Sequence, residues 1–116
     1  MIDLILPVEL TNGNDGRGSK WFSSAKVRKR FERDLVDYRR EPFDQPTRLT
    51  VTRILGPNQR LWDNDSIGRG NAKELIDALV ALGWWHDDKP KWITSVDYRQ
   101  DDSRREIGPA VRMEVE

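Results

Sequence analysis

Three aspartates flank a helix-forming stretch in the second half of the chain. Asp63 and Asp65 form an Asp-x-Asp pair, a glycine-bearing turn and an amphipathic stretch follow, and Asp88 ends a second pair of aspartates. If the helix folds back on the segment before it, the three carboxylates converge. Mg2+ prefers oxygen ligands and is commonly held by one or two carboxylates together with substrate phosphates. The spacing therefore predicts a metal site that takes magnesium, with manganese as an alternative ion.

The same residue types also suit simpler roles. The run Asp-Asn-Asp-Ser at 63–66 is typical of a turn, because aspartate and asparagine side chains hydrogen-bond to nearby backbone groups. His86, the single histidine, lies beside the second aspartate pair. It is either a general base or metal neighbour, or a loop residue packed on Trp85. We expect the packing role for His86, and both roles stay open for the aspartates.

A second chemical feature is a basic segment between Arg17 and Arg40. It carries a net charge of +6 in a chain whose net charge is zero. Lys and Arg side chains that face phosphates drive binding to nucleic acid through counterion release. Five residues of the segment are predicted to contact a DNA backbone: Arg17, Lys20, Lys26, Arg30 and Arg33. The first two lie in a glycine-rich loop at 11–20, which is either an arm ordered by DNA or plain disorder. For the helix residues, a solvated surface is the alternative.

The composition limits the class of protein. The chain has 116 residues, enough for one small domain over 1–116 and too few for two independent cores. It has no cysteine, which excludes disulfides and thiolate metal sites. The sequence contains no apolar run long enough to cross a membrane, and residues 1–10 lack the basic start and the small-residue cleavage site of a signal peptide. We therefore expect a cytoplasmic protein.

Apolar periodicity predicts a domain of class α/β (α+β), in which a mixed sheet of four to five strands packs with two main helices. The strands are predicted at 2–8, 47–55, 60–63, 92–99 and 111–115. One helix is predicted from Ser23 or Ser24 to Arg39. The other covers 72–82, between a possible Asn71 cap and a Gly83 stop. A polar hairpin connection is predicted over 100–109.

Several apolar sets should be buried by these elements. The first strand carries Ile2, Leu4, Leu6 and Val8 on one face. The first helix carries Val27, Phe31, Leu35 and Tyr38. The second carries Ala72, Leu75, Ile76, Leu79, Val80 and Leu82, with Lys73 and Asp77 as an i,i+4 pair on its exposed side. Trp84, Trp85 and Trp92 are expected in the core or a dimer interface, with stacking on unpaired bases as the alternative.

The order of these features resembles one enzyme family. Residues 60–99 contain the Asp-x-Asp pair, a helix with a lysine and the string Leu-Ile-Asp-Ala-Leu, then a Gly-aromatic-aromatic-x-Asp-Asp turn followed by proline and an aromatic strand. This order is similar to that of the RusA-type Holliday-junction resolvases of phages and prophages. The resemblance implies a small homodimer that cuts branched DNA symmetrically with a divalent cation.

The resemblance also implies roles for single residues. Asp63 and Asp65 would be the metal-binding pair, Asp88 the third acidic ligand, and Lys73 the cation at the scissile phosphate. The chain departs from the family where Ser66 replaces an asparagine and where the turn Gly-Arg-Gly-Asn lengthens the spacing before Lys73. Arg69, within that turn, is therefore an alternative cation for the phosphoryl oxygens.

Two further functions remain as alternatives to a metal-dependent endodeoxyribonuclease. One is a DNA-binding or regulatory module of the same fold, in which the basic helix grips phosphates and the aspartates are only structural. The other is a small interaction protein whose acidic and basic halves pair between subunits, an assembly that salt would weaken. A requirement for magnesium separates the nuclease from both.

Overall fold

Four strands and two helices form the part of the chain that the computed structural model describes, namely residues 1–11, 24–62 and 71–116. In chain order these are β1 (Ile2–Leu6), α1 (Ser24–Asp34), β2 (Thr47–Ile54), α2 (Ala72–Ala81), β3 (Ile93–Asp101) and β4 (Ala110–Val115). A short 3₁₀ helix, Val36–Tyr38, follows α1. The prediction of a small single α+β domain with a mixed sheet and two helices is confirmed. In the described ranges, no helix is both long and apolar enough to span a membrane.

The sheet has the strand order β1-β4-β2-β3. β2 and β3 are parallel, whereas β4 pairs antiparallel with both β1 and β2. The prediction of a hairpin over 100–109 is wrong, because β3 and β4 lie on opposite sides of β2 and do not pair. β3 itself continues to Asp101, and the chain then crosses the end of β2 to reach β4. A parallel neighbour on one side of β2 leaves only its other side open to β4.

One face of the sheet carries the core. The register places Leu49 opposite Val115 and Val51 opposite Met113, so that these side chains share a face. Phe31 from α1 belongs to the same buried cluster, as do the predicted apolar residues of α2, except that Val80 is only partly buried against it. The two predicted helix stripes are therefore largely confirmed, and both helices pack against each other on this face.

The first strand is less buried than predicted. Leu6 is fully buried and Val8 nearly so, but Leu4 is 36% exposed and Ile2 is only partly buried. Leu4 does lie opposite Met113 on the core side of the sheet. Because β1 is an outer strand, the buried cluster covers only its C-terminal end.

The first helix ends at Asp34, five residues before the predicted end at Arg39. The chain tightens there into the 3₁₀ helix, in which the Tyr38 amide donates to the Leu35 carbonyl at 2.8 Å. The indole of Trp84 donates to the Tyr38 carbonyl at 2.8 Å. This tertiary hydrogen bond takes up a carbonyl that a longer helix would use internally.

Gly83 ends α2, as predicted. Its φ of +93° is a conformation that favours glycine. The Gly83 amide donates to the Val80 carbonyl and the Trp84 amide to the Leu79 carbonyl, both at 3.0 Å, which is the Schellman pattern of helix termination. The helix therefore stops at a fixed point and directs the following residues into the core.

The predicted cap at Asn71 is wrong as regards its side chain. Asn71 makes no side-chain hydrogen bond to the first turn of α2. Its amide group instead accepts from the Thr11 amide at 2.9 Å and donates to the Thr11 hydroxyl at 3.0 Å. The long-range partner takes the side chain that a local cap would have used.

The tryptophans after Gly83 are structural. Trp84 and Trp85 are each 1% exposed, and Phe43 packs on both at ring centroid distances of 6.4 and 5.7 Å. The Trp85 indole donates to the Thr47 hydroxyl at 2.9 Å. Their predicted place in the core is confirmed, and neither ring is available to stack on a base.

Candidate functional site around Lys73 and Asp88

Lys73 and Asp88 meet at the surface of α2. The Lys73 Nζ lies 3.5 Å from Asp88 Oδ2 and 3.5 Å from Asp77 Oδ1. Asp77 is one helical turn after Lys73, so that pair is set by the helix repeat, and the predicted i,i+4 contact is confirmed. The contact with Asp88 is tertiary, because 15 residues separate the two along the chain. The structure thus brings together two of the four predicted catalytic residues.

The loop after α2 decides which of its two aspartates faces Lys73. Asp87 Oδ1 accepts a hydrogen bond from the Lys89 amide at 2.8 Å, a turn within the loop itself. Asp88 makes the contact with Lys73, and its side chain is 47% exposed. Asp87 is therefore a local structural residue, whereas the Asp88 carboxylate is open to solvent and to a ligand.

Carboxylates and burial act on two titratable groups here. The Asp77 carboxylate raises the pKa of Lys73 above its usual value. Desolvation opposes this rise, and the Asp88 carboxylate adds to it. Burial raises the pKa of Tyr98, and the positive charge of Lys73 opposes that rise. Lys73 is therefore protonated at neutral pH, and its positive charge acts on the pKa of Tyr98.

Tyr98 is a partly exposed aromatic residue of β3 that the sequence analysis did not single out. It lies opposite Val51, on the core side of the sheet, yet it is 36% exposed. Its position in a strand with alternating polar residues gave no sign of this.

A cleft of about 530 Å³ lies beside Asp88, between α1 and the end of α2. Its charged lining comes from both helices and the loop: Arg28, Glu32, Asp77, Asp87 and Asp88. Arg28 and Glu32 pair within α1 at 3.4 Å. Neither residue was assigned a role from the sequence, although their i,i+4 spacing is visible there.

The remaining predicted metal ligands lie outside the described residues. Asp63, Asp65 and Arg69 fall in 63–70, and Arg17 and Lys20 fall in 12–23. Within the described ranges, no three His, Asp or Glu side chains are grouped closely enough to hold a metal ion. The metal site with three carboxylates therefore stays a prediction. Of its three proposed ligands, Asp88 is the one that lies in the described residues.

Four of the five basic residues of α1 form a single surface. Lys26, Lys29, Arg30 and Arg33 line a shallow groove of about 440 Å³ around Val27. They are exposed, and Phe31 and Leu35 face the core from the same helix. The prediction that the cations lie away from the buried stripe is confirmed. We call this surface the basic face of α1.

His86 packs on a different ring from the one predicted. Its imidazole lies 4.8 Å from the ring of Trp92. Trp85 is unavailable because it is buried against Phe43 and Trp84. His86 is exposed and has the loop packing role that we expected, with Trp92 as its partner.

No protein-family model matches the chain, and no curated protein matches it in sequence. The likeness to RusA-type resolvases rests on the motifs in 60–99.

Proposed function

We propose that this protein is a metal-dependent endodeoxyribonuclease that resolves Holliday junctions or other branched DNA by symmetric phosphodiester hydrolysis. The observation that carries the proposal is the 3.5 Å contact between Lys73 Nζ and Asp88 Oδ2. The resemblance requires this lysine and this aspartate to share one site, although they are far apart in sequence. The pair is exposed and adjoins an open cleft, as a site for a polymeric substrate must.

The donor set suits magnesium. Asp63, Asp65 and Asp88 would supply hard carboxylate oxygens, and Asp88 is exposed enough to offer one. A bound ion of this kind supplies Lewis acidity at the phosphate and lowers the pKa of an attacking water. The protonated Lys73 would neutralise charge on a phosphoryl oxygen, because an ammonium 3.5 Å from a ligand carboxylate also reaches a phosphate held beside it. Arg69 remains the alternative cation.

DNA binding would use the basic face of α1. Four exposed cations along about two turns of helix form a basic surface of the kind that binds a phosphate backbone. Paired nicks in a four-way junction need two sites related by a twofold axis, so the active form would be a homodimer. Sedimentation of the protein with and without a junction tests that assembly.

The direct test is cleavage of a labelled four-way DNA junction, with and without Mg2+, by the wild type and an Asp65→Asn variant. Symmetric paired nicks that require the ion and are lost in the variant are expected. Linear duplex of the same sequence is the substrate control. Tight junction binding without cleavage under any ionic condition would overturn the nuclease and favour the DNA-binding module, for which the basic face is the supporting observation.

The basic face gives a prediction that does not depend on catalysis. Replacing Lys26 and Arg33 by glutamine should weaken junction binding and reduce the slope of log K against log salt by about 2, since each lost phosphate contact removes about 0.9. The measurement is a binding titration in Ca2+ or EDTA at several salt concentrations.

The matched control is Arg48→Gln with Arg99→Gln, which also removes two exposed cations. Both of these lie on strands, in positions that alternate with Leu49 and Tyr98, which lie on the core side, and so face the other side of the sheet. An unchanged slope is expected there. Equal slopes for the two double variants would show that α1 has no special part in binding.

A further inference from the structure

The outer strand β1 has an edge that is open to pairing. The strand order places β1 and β3 at the two sides of the sheet, and among the described residues no strand pairs with the outer edge of β1. On β1, two of the three exposed residues are apolar, namely Leu4 and Ile5. The exposed residues of β3 all carry polar groups: Thr94, Ser95, Asp97, Tyr98 and Arg99. Because polar and charged residues protect an edge strand from association, β1 is the less protected of the two.

The hydrogen-bond register shows which backbone groups face this edge. Arg48 and Glu116 exchange both of their amide–carbonyl hydrogen bonds at 2.9 Å. Such pairs alternate along an antiparallel ladder, so the odd-numbered residues of β4 direct their backbone groups to β1 and pair there with its even-numbered residues. The amide and carbonyl groups of Asp3 and Ile5 therefore point away from β4, to the open edge.

The single charged residue of β1 does not block this edge. Arg112 on β4 donates to the Asp3 carboxylate from Nε at 2.9 Å and from Nη2 at 2.7 Å. This bidentate pair directs the carboxylate toward the neighbouring strand and neutralises its charge. The outer side of β1 is thus left to its backbone groups and to apolar side chains.

A second copy of β1 matches this edge best in one antiparallel register. If Asp3 pairs with Ile5 of the second copy, and Ile5 with its Asp3, each pair exchanges both amide–carbonyl hydrogen bonds and the twofold axis passes at Leu4. A shift one way brings the two Asp3 carboxylates opposite each other, which is unfavourable. A shift the other way places Asp3 opposite Pro7, which has no amide hydrogen to donate.

This register also extends the core side of the sheet. Leu4 lies opposite Met113 on that side and is 36% exposed, and Ile2 is only partly buried. Across the twofold axis each Leu4 would contact its counterpart, and each Ile2 would lie opposite Leu6 of the other copy. Apolar surface that the buried cluster leaves open at the start of β1 would thereby be removed from water.

We propose that this protein forms a homodimer through β1, in which the two strands pair antiparallel about Leu4 and make one continuous sheet from two chains. The partner is a second copy of this chain. Such twofold symmetry is what paired nicking of a junction needs. The interface does not rest on the proposed nuclease, however, because it involves neither the metal nor DNA.

The first test is sedimentation velocity of the purified protein without DNA or metal, which should show a species of twice the chain mass as the protein concentration rises. Leu4→Lys should raise the dimer dissociation constant more than about tenfold, because two ammonium groups then oppose each other at the axis. Leu4→Glu alone should do the same. An equimolar mixture of the two variants should recover the dimer, which a folding defect would not allow.

Val36→Lys is the matched control. Val36 is 42% exposed and lies in the 3₁₀ helix, outside the sheet. This variant should dimerise like the wild type. A wild type that stays monomeric at every concentration, or a dimer that Leu4→Lys leaves unchanged, would overturn the proposal. Neither result depends on junction cleavage, so failure of the interface and failure of the nuclease are scored separately.

Single cysteines test the register, since the chain has none of its own. Two Leu4→Cys chains would place their Cα atoms about 4.5 Å apart, within disulfide range, and should cross-link under mild oxidation. Two Ile5→Cys chains would lie diagonally, about 7–8 Å apart, and should remain largely reduced. Equal cross-linking of both variants, or of neither, would overturn pairing about Leu4.

Discussion

Asp88→Asn should reduce junction cleavage by more than about 100-fold while leaving the fold intact. Loss of a residue that merely orients a ligand costs about 10–100-fold in metal affinity or activity, and loss of a ligand should exceed that. The Asp88 side chain is 47% exposed, and its ion pair among the described residues is with Lys73. The asparagine side chain of the variant should therefore not disturb packing. Single-turnover cleavage at saturating Mg2+ is the measurement, with circular dichroism to check folding.

The adjacent aspartate provides the control for this prediction. Asp87 binds the Lys89 amide of its own loop, and asparagine can accept the same hydrogen bond. Asp87→Asn should therefore retain cleavage within a few-fold of the wild type. The assignment of Asp88 as a ligand would be wrong if the two variants lost activity equally, or if Asp88→Asn kept it. Equal losses would point instead to the summed negative charge of the cleft.

Trp85→Ala should lower the free energy of unfolding by about 3–5 kcal/mol, the usual cost of removing a large aromatic side chain from a core. Trp85 is 1% exposed, packs on Phe43 and Trp84, and donates to the Thr47 hydroxyl. A domain of this size has only about 5–15 kcal/mol in total. The variant should thus be close to unfolding at 37 °C. Urea denaturation followed by circular dichroism measures the change.

Two further variants separate the sources of this loss. Trp85→Phe keeps most of the apolar ring and leaves the Thr47 hydroxyl without its donor, which should cost about 1–2 kcal/mol. Trp92→Ala removes a partly buried tryptophan from the neighbouring loop and should cost less than Trp85→Ala. A Trp92→Ala variant as unstable as Trp85→Ala would contradict the assignment of Trp85 as the main packing residue after α2.

The candidate site was only partly accessible from sequence. The motif order in 60–99 pointed to Lys73 and Asp88, and the structure places them in contact. The choice of Asp88 over Asp87 came from the family resemblance. Its physical basis, the hydrogen bond that the Lys89 amide donates to the Asp87 carboxylate, came from the structure. Nor could the sequence show that Gln100 binds the backbone of Trp62, because the two residues lie 38 positions apart.

The types of element were set by the sequence itself. Apolar residues repeating at helical or strand spacing gave both helices, the strands β2, β3 and β4, and the buried stripe of α2, because that periodicity follows from local backbone geometry and from the need to bury one face. Gly83 fixed a helix end for the same local reason. These features would survive in any arrangement of the elements.

Tertiary structure alone decided how the elements meet. It placed β3 and β4 on opposite sides of β2 and gave the Asn71 amide to Thr11. A strand was predicted at 60–63, but residues 60–62 pair with no strand and are held by the side chains of Gln100 and Arg53. In the last two cases a polar side chain binds the backbone of a residue that is distant in the sequence. That choice depends on the whole packed chain, so no local pattern could reveal it.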